Sequence, residues 1–347
     1  MAGETPAGAQ NPAGAQNPVG AQNLDGGQNL DGTANGIFPV LELAHAVNRT
    51  PPDAVSFLPP AVFETHMLQP FANRRQFLIA SSAATAAACF SSNALAAADQ
   101  RYKLGIQLYS LRGYDVDQAL RHASELGFEQ VEFYSGMLPI NASAEQIEMT
   151  RQKVADLGMS ISAHGVNRLT QDAKANRKIF EFAKALGIPT ITADPDPDAF
   201  ENLDDLVEEF DIRVAIHNHG PRHRYNKAID VLNAIDGHDE RIGACADLGH
   251  YIRSGQTPTE VIRLLRGRLY GIHLKDFAEM KDKTEGVVLG KGHLDVVGVF
   301  QALKAVGFPA DGAISLEYEE NPKDPIEEIR QCVTVARKAM RGIQSAG

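Results

Sequence analysis

The chain has 347 residues, a formal net charge of −11 at pH 7 and 44% hydrophobic residues. No basic block interrupts that acidic balance, which excludes the electrostatic footprint of a nucleic-acid binder. Three cysteines and no tryptophan argue against a disulfide scaffold and against a zinc–thiolate site.

The first 66 residues have low complexity. A hexapeptide recurs from Ala7 to Gly36 as AGAQNP, AGAQNP, VGAQNL, DGGQNL and DGTANG. It lacks the regular apolar position that a β-helix coil must bury, so disorder is expected. Residues 37–66 are Pro-rich and show no sustained period. A charged segment then begins at Met67, followed by an Ala/Ser stretch and Ala94-Leu95-Ala96, the order of a cleavable leader. Within it, Asn73-Arg74-Arg75-Gln76-Phe77-Leu78 resembles a twin-arginine export signal. The expectation is a leader at 67–98 with Met67 as the true start. The twin-arginine translocation machinery would then carry the folded protein to the periplasm or another extracytoplasmic space, with no membrane segment in the mature form.

Cleavage after Ala96 leaves residues 97–347, close to the roughly 250 residues of a (β/α)8 barrel. Eight β-type runs follow in order: Leu104–Tyr109, Gln130–Tyr134, Ser160–His164, Thr190–Asp194, Arg213–His217, Ile242–Asp247, Leu269–His273 and Ala313–Glu317. Amphipathic segments such as Asp117–Leu126, Ala144–Leu157, Asp172–Leu186 and Ile326–Met340 lie between them. Several end in glycine (Gly127, Gly158, Gly187, Gly307), the residue favoured at helix C-termini. Alternation at this spacing predicts a single α/β TIM barrel over residues 99–347.

Side chains two apart on a strand share a face. One face of every run is apolar and suits outer helices. The other starts small and ends polar or ionisable: Gln107, Glu132, His164, Asp194, His217 and His219, Asp247, His273 and Lys275, Glu317 and Glu319. This pattern places a polar cluster at the C-terminal mouth, where such barrels carry their sites. His217, Asp247, His273 and Glu317 form a mixed N/O set for one divalent metal. His219 is the alternative to His217, which is favoured as level with Asp247 and His273 at its strand end. Lys275 is a candidate to hold a developing oxyanion. Gln107, His164, His219 and His250 are candidate substrate contacts. The glycine-rich segment Phe277–Asp295 reads as a lid, with a phosphate cradle as the weaker reading; Arg222-His223-Arg224 could meet an anion.

The series DLGH, HLKD and SLEYE, with GKGHLD before the last helix pair, resembles the xylose isomerase-like TIM-barrel superfamily (sugar phosphate isomerase/epimerase, AP endonuclease family 2) over roughly residues 103–341. The resemblance implies one divalent ion, Mn²⁺, Mg²⁺, Co²⁺ or Zn²⁺, at Asp247, His273 and Glu317 plus a ligand from the fifth strand. Ketose epimerases place a glutamate at that last position, where this chain has His217-Asn218-His219. The expected activity is isomerisation or epimerisation of a ketose or ketosugar through C–H proton abstraction to a metal-stabilised enediolate, with Glu317 or Glu132 as base. Two alternatives are carried with it: an inosose dehydratase-like or keto-glycoside lyase, and a non-catalytic carbohydrate-binding barrel. The partner is a small, unphosphorylated carbohydrate, and exposed barrel ends leave room for a homo-oligomer.

Overall fold

The computed structural model describes residues 101–344. The repeat region and the expected leader with its export signal lie outside the described residues.

Eight parallel strands close into a barrel: β1 (Gly105–Gln107), β2 (Gln130–Phe133), β3 (Ser160–Leu169), β4 (Thr190–Pro195), β5 (Arg213–His217), β6 (Ile242–Asp247), β7 (Leu269–Leu274) and β10 (Ala313–Leu316). The ring runs β1-β10-β7-β6-β5-β4-β3-β2. A short antiparallel pair, β8 (Asp276–Phe277) and β9 (Gly286–Val287), stands outside it. Nine α-helices among the described residues complete the layer: α1 (Val116–Glu125), α2 (Ala144–Asp156), α3 (Ala173–Leu186), α4 (Phe200–Phe210), α5 (Ala228–Ile235), α6 (Leu248–Arg253), α7 (Pro258–Leu264), α8 (Val296–Val306) and α9 (Ile326–Gln344). No described helix is long and apolar enough to cross a membrane.

Local chemistry sets the helix ends. Asp115 and Ser143 close capping boxes on α1 and α2, satisfying donors that have no intrahelical partner. Gly187 ends α3 at φ +76, a left-handed conformation that only glycine adopts without steric cost. The apolar strand faces, among them Ile106, Phe133, Val214, Ile272 and Leu316, are fully buried or nearly so against the helices.

One strand departs from the alternation. β3 runs five residues past His164, and the β2–β3 register shifts between Val131 and Glu132, so that Glu132 faces Ala163 and His164 faces Phe133. Ala163 therefore occupies the interior position and His164 turns outward. The expectation that His164 contacts substrate is corrected accordingly. Its ring packs on Phe182 at 4.9 Å, its Nε2 bonds the Leu138 carbonyl at 2.9 Å, and Asn167 holds Nδ1 at 3.2 Å.

The glycine-rich segment after β7 is organised by one carboxylate. Asp276 accepts from the backbone N–H of Gly290 (2.8 Å), Gly292 (3.0 Å) and Leu294 (2.9 Å). The amides that a phosphate cradle would need are thus already bonded within the protein. Bonds to a buried charged acceptor are each worth roughly 1.5–3 kcal/mol, so Asp276→Ala is expected to lose on the order of 3 kcal/mol or more in urea denaturation. A loss below about 1 kcal/mol would show that this segment is held by other contacts.

Candidate metal centre and mouth

The four expected ligands converge. Atoms of His217, Asp247, His273 and Glu317 all lie within 4.8 Å of one another, and all four residues are buried. His217 Nε2 stands 3.1 Å from His273 Nδ1 and 3.7 Å from Asp247 Oδ2. His273 Nδ1 is 3.2 Å from Glu317 Oε2.

His217 is not level with Asp247 in register, as the sequence suggested. It pairs with Cys245, whereas Asp247 pairs with His273. Barrel strands are tilted against the axis, so paired positions on successive strands lie at different heights, and the tilt restores the contact. Asn218 then locks the tops of β5 and β6 together: its amide donates to the Asp247 carbonyl at 3.0 Å and accepts from the Asp247 N–H at 2.8 Å. Asp247 also caps α6, accepting from the His250 N–H at 2.7 Å.

Lys275 fills the space between the carboxylates. Its ammonium lies 3.1 Å from Glu317 Oε2 and 3.4 Å from Asp247 Oδ2, and it also bonds Glu319. Gly249 permits this position, because a Cβ there would meet Lys275 Cγ at 2.7 Å. Burial works against the Lys275 charge, but Asp247, Glu317 and Glu319 outweigh it and raise its pKa.

The electrostatics are those of a site short of positive charge. Burial, with Glu317 beside it, pushes the Asp247 carboxyl up to about 7 even with Lys275 present. Burial also opposes ionisation of Glu317, but Lys275 and His273 together hold its pKa well below the usual range. His217 is driven well down by burial and by the neighbouring imidazoles of His273 and His219, leaving it neutral. Burial opposes charge on His273, yet Cys245, Glu132 and Glu317 together raise its pKa. A divalent cation suits this set: two imidazoles and two carboxylates of one-metal geometry, with buried negative charge left to neutralise.

Above the ligands opens a cavity of about 420 Å³. His217, His219 and His250 form one side, and Gln107, Tyr109 and Tyr134 line it as well. Tyr109 and Tyr134 meet edge to face at 5.3 Å, with the Arg112 guanidinium 4.4 Å over the Tyr109 ring. The strand pattern places both tyrosines on the inward face, yet sequence reasoning assigned them no role; an aromatic at a strand top was the available signal.

Glu132 is placed differently from expectation. It has no exposed surface and lies below the ligands rather than along the mouth, so it does not reach a substrate bound there.

A second group, Asp194, His219 and His223, also brings ligand atoms within 4.8 Å. Its hydrogen bonding opposes metal binding. The Tyr225 N–H donates to His223 Nδ1 at 3.3 Å, which leaves the proton of the neutral ring on Nε2, facing Asp194 at 3.3 Å. Arg224 and Arg222 are likewise paired with acids, Arg224 with Asp196 at 2.6 Å and Arg222 with Asp282 at 3.4 Å.

The family profile described as xylose isomerase-like TIM barrel matches residues 120–337. The chain belongs to this family. Among its curated relatives is a 3-oxo-isoapionate decarboxylase from Pectobacterium atrosepticum, 27% identical over 180 residues, covering 47% of this chain and 63% of that protein. An inosose dehydratase from Lacticaseibacillus casei is 27% identical over 138 residues, covering 35% of this chain and 45% of its own length. The chain thus spans less than two thirds of either relative. An uncharacterised protein from Parabacteroides distasonis has a solved structure that aligns at TM-score 0.55 with 29% identity, covering 68% of this chain and 98% of that one. For a xylose isomerase-like barrel, the polar cluster lies at the expected C-terminal ends of the strands.

Proposed function

We propose that this barrel is a divalent-metal-dependent enzyme that takes a proton from the carbon beside the carbonyl of an unphosphorylated ketosugar and returns it, giving isomerisation or epimerisation. The observation that carries this reading is the buried His217–Asp247–His273–Glu317 set opening directly beneath a mouth lined by imidazoles. A divalent cation held by those four residues would polarise the substrate carbonyl and stabilise negative charge developing on its oxygen.

This chain's own residues divide the remaining work. His219 has its pKa brought down to about 4, first by burial and then by His223. It is therefore neutral at pH 7 and able to accept a proton at the mouth. Glu317 is a weaker base, because its charge is held by Lys275 and His273; we assign it to the ligand set. The protonated His219 then returns the proton to the adjacent carbon, while His250, neutral for the same reason of burial and 5.7 Å from His219 between ring centroids, offers its ring nitrogens to a substrate hydroxyl. Lys275 keeps its positive charge beside the ligands and adds to the field at a developing oxyanion. Gln107 and the Tyr109–Tyr134 pair offer a polar and an apolar contact to a sugar ring.

The test is deuterium exchange from D₂O into a panel of neutral ketosugars, with Mn²⁺ or Zn²⁺ supplied. Exchange in the wild type, reduced about 100-fold or more in His219→Gln, supports the reading. Absence of exchange across the panel, in protein shown to hold metal, rejects it and leaves a binding protein. A second reading is elimination, favoured by the similarity to an inosose dehydratase; loss of water from the product distinguishes it.

A further inference from the structure

We infer that Glu132 is a positioning residue, which keeps a proton on His273 Nε2 so that Nδ1 is the nitrogen aimed at a divalent cation. The inference rests on the metal reading above and concerns one residue outside the ligand set.

Glu132 Oε2 faces His273 Nε2 at 3.0 Å and accepts from the Ser315 hydroxyl at 2.7 Å. Its Oε1 accepts from the Thr192 hydroxyl at 2.6 Å. An ionised carboxylate only accepts hydrogen bonds, so the ring nitrogen facing it must carry the proton. The other nitrogen, Nδ1, faces the Glu317 carboxylate at 3.2 Å and His217 at 3.1 Å; without a cation it too carries a proton toward Glu317, and that proton, not the one on Nε2, is what a cation held among the ligands would replace. The Cys245 thiol also bonds this imidazole, but a neutral thiol is a weak partner beside a charged carboxylate. A carboxylate behind a ligating histidine fixes the tautomer and raises the ring's basicity. The two imidazoles of the set are not braced alike, since His217 Nδ1 is buried without a hydrogen-bond partner. Orientation of the pair therefore depends on His273, and through it on Glu132.

The experiment titrates the full chain with Zn²⁺ against a competing chelator and follows the His273 ring protons by NMR. Glu132→Gln preserves shape while removing the charge, and is expected to weaken Zn²⁺ binding by about 10–100-fold. The hydrogen-bonded Nε2 proton of His273, present in metal-free wild type, should shift or be lost. A Zn²⁺ affinity within twofold of wild type, with that resonance unmoved, overturns the inference. If Glu132→Gln fails to fold, a Thr192→Val, Ser315→Ala double variant loosens the same carboxylate. Several-fold weaker Zn²⁺ binding in that variant supports the inference, and unchanged affinity overturns it. Wild type that binds no Zn²⁺ sinks the metal reading instead, and the Nε2 resonance in metal-free Glu132→Gln then decides the tautomer question alone.

Discussion

Replacing Asp247 by asparagine is expected to abolish tight divalent-metal binding while leaving the metal-free protein at least as stable as wild type at pH 8. The two effects have one cause. In the folded protein without metal, burial raises the Asp247 carboxyl from an ordinary value of 3.8 to about 7. A raised carboxyl contributes its full stability below the ordinary value, and that contribution is lost as the pH climbs to about 7. Moving a pKa by one pH unit corresponds to about 1.4 kcal/mol. The buried charge therefore costs wild type at most on the order of 4 kcal/mol at pH 8, because Glu317 shares the titration. An asparagine side chain carries no such charge, and its carbonyl can still accept from the His250 N–H. Urea denaturation with chelator present should show the variant gaining on wild type between pH 5 and pH 8. Excess Zn²⁺ or Mn²⁺ should reverse the order, since only wild type gains from binding. If chelated wild type shows no fall relative to the variant over that range, the charge assignment of the site is wrong.

Lys275→Met is expected to act in the opposite sense. The ammonium is the shared partner of Asp247, Glu317 and Glu319, and removing one partner of a buried ionic cluster costs about 3–5 kcal/mol. Metal-free Lys275→Met should therefore be less stable than wild type by about that amount. The cation should bind it more tightly, because no ammonium competes for the two carboxylate ligands. The sign of the second effect is the sharper check: a smaller metal-induced rise in Tm than wild type shows would mean that Lys275 organises the ligands rather than competing with the metal.

Most of the barrel could be read from sequence because strand and helix chemistry alternate cleanly. Arg213–His217 and Ile242–Asp247 match observed strands end to end, and the other expected strands share all or most of their residues with observed ones, except Leu104–Tyr109, of which only Gly105–Gln107 is strand and Leu108–Leu111 turns into a 3-10 helix. The inward alternation also placed His217, Asp247, His273 and Glu317 together, since four strand tops of one closed barrel must face a common axis. What sequence could not supply was the departure from perfect alternation. The register shift beside Glu132 turns His164 outward, and no residue type in Ser160–Leu169 signals it. Depth was equally hidden: Glu132 and Glu317 look alike as strand-end glutamates, yet one lies beneath the ligands and the other among them. The hydrogen-bond direction that argues against Asp194, His219 and His223 as a second metal site depends on a backbone amide, which side-chain spacing does not reveal.

Glu132 also ties the barrel across its bore. It leaves β2 and bonds Thr192 on β4, His273 on β7 and Ser315 on β10, strands that are not its neighbours in the ring. One carboxylate thus makes the shape of the whole cylinder and the aim of one imidazole a single variable. Loosening of the cylinder at any seam, however distant from the mouth, will register as weaker cation binding. Conversely, an occupied centre will stiffen β2, β4 and β7, which share no hydrogen-bonded edge with one another.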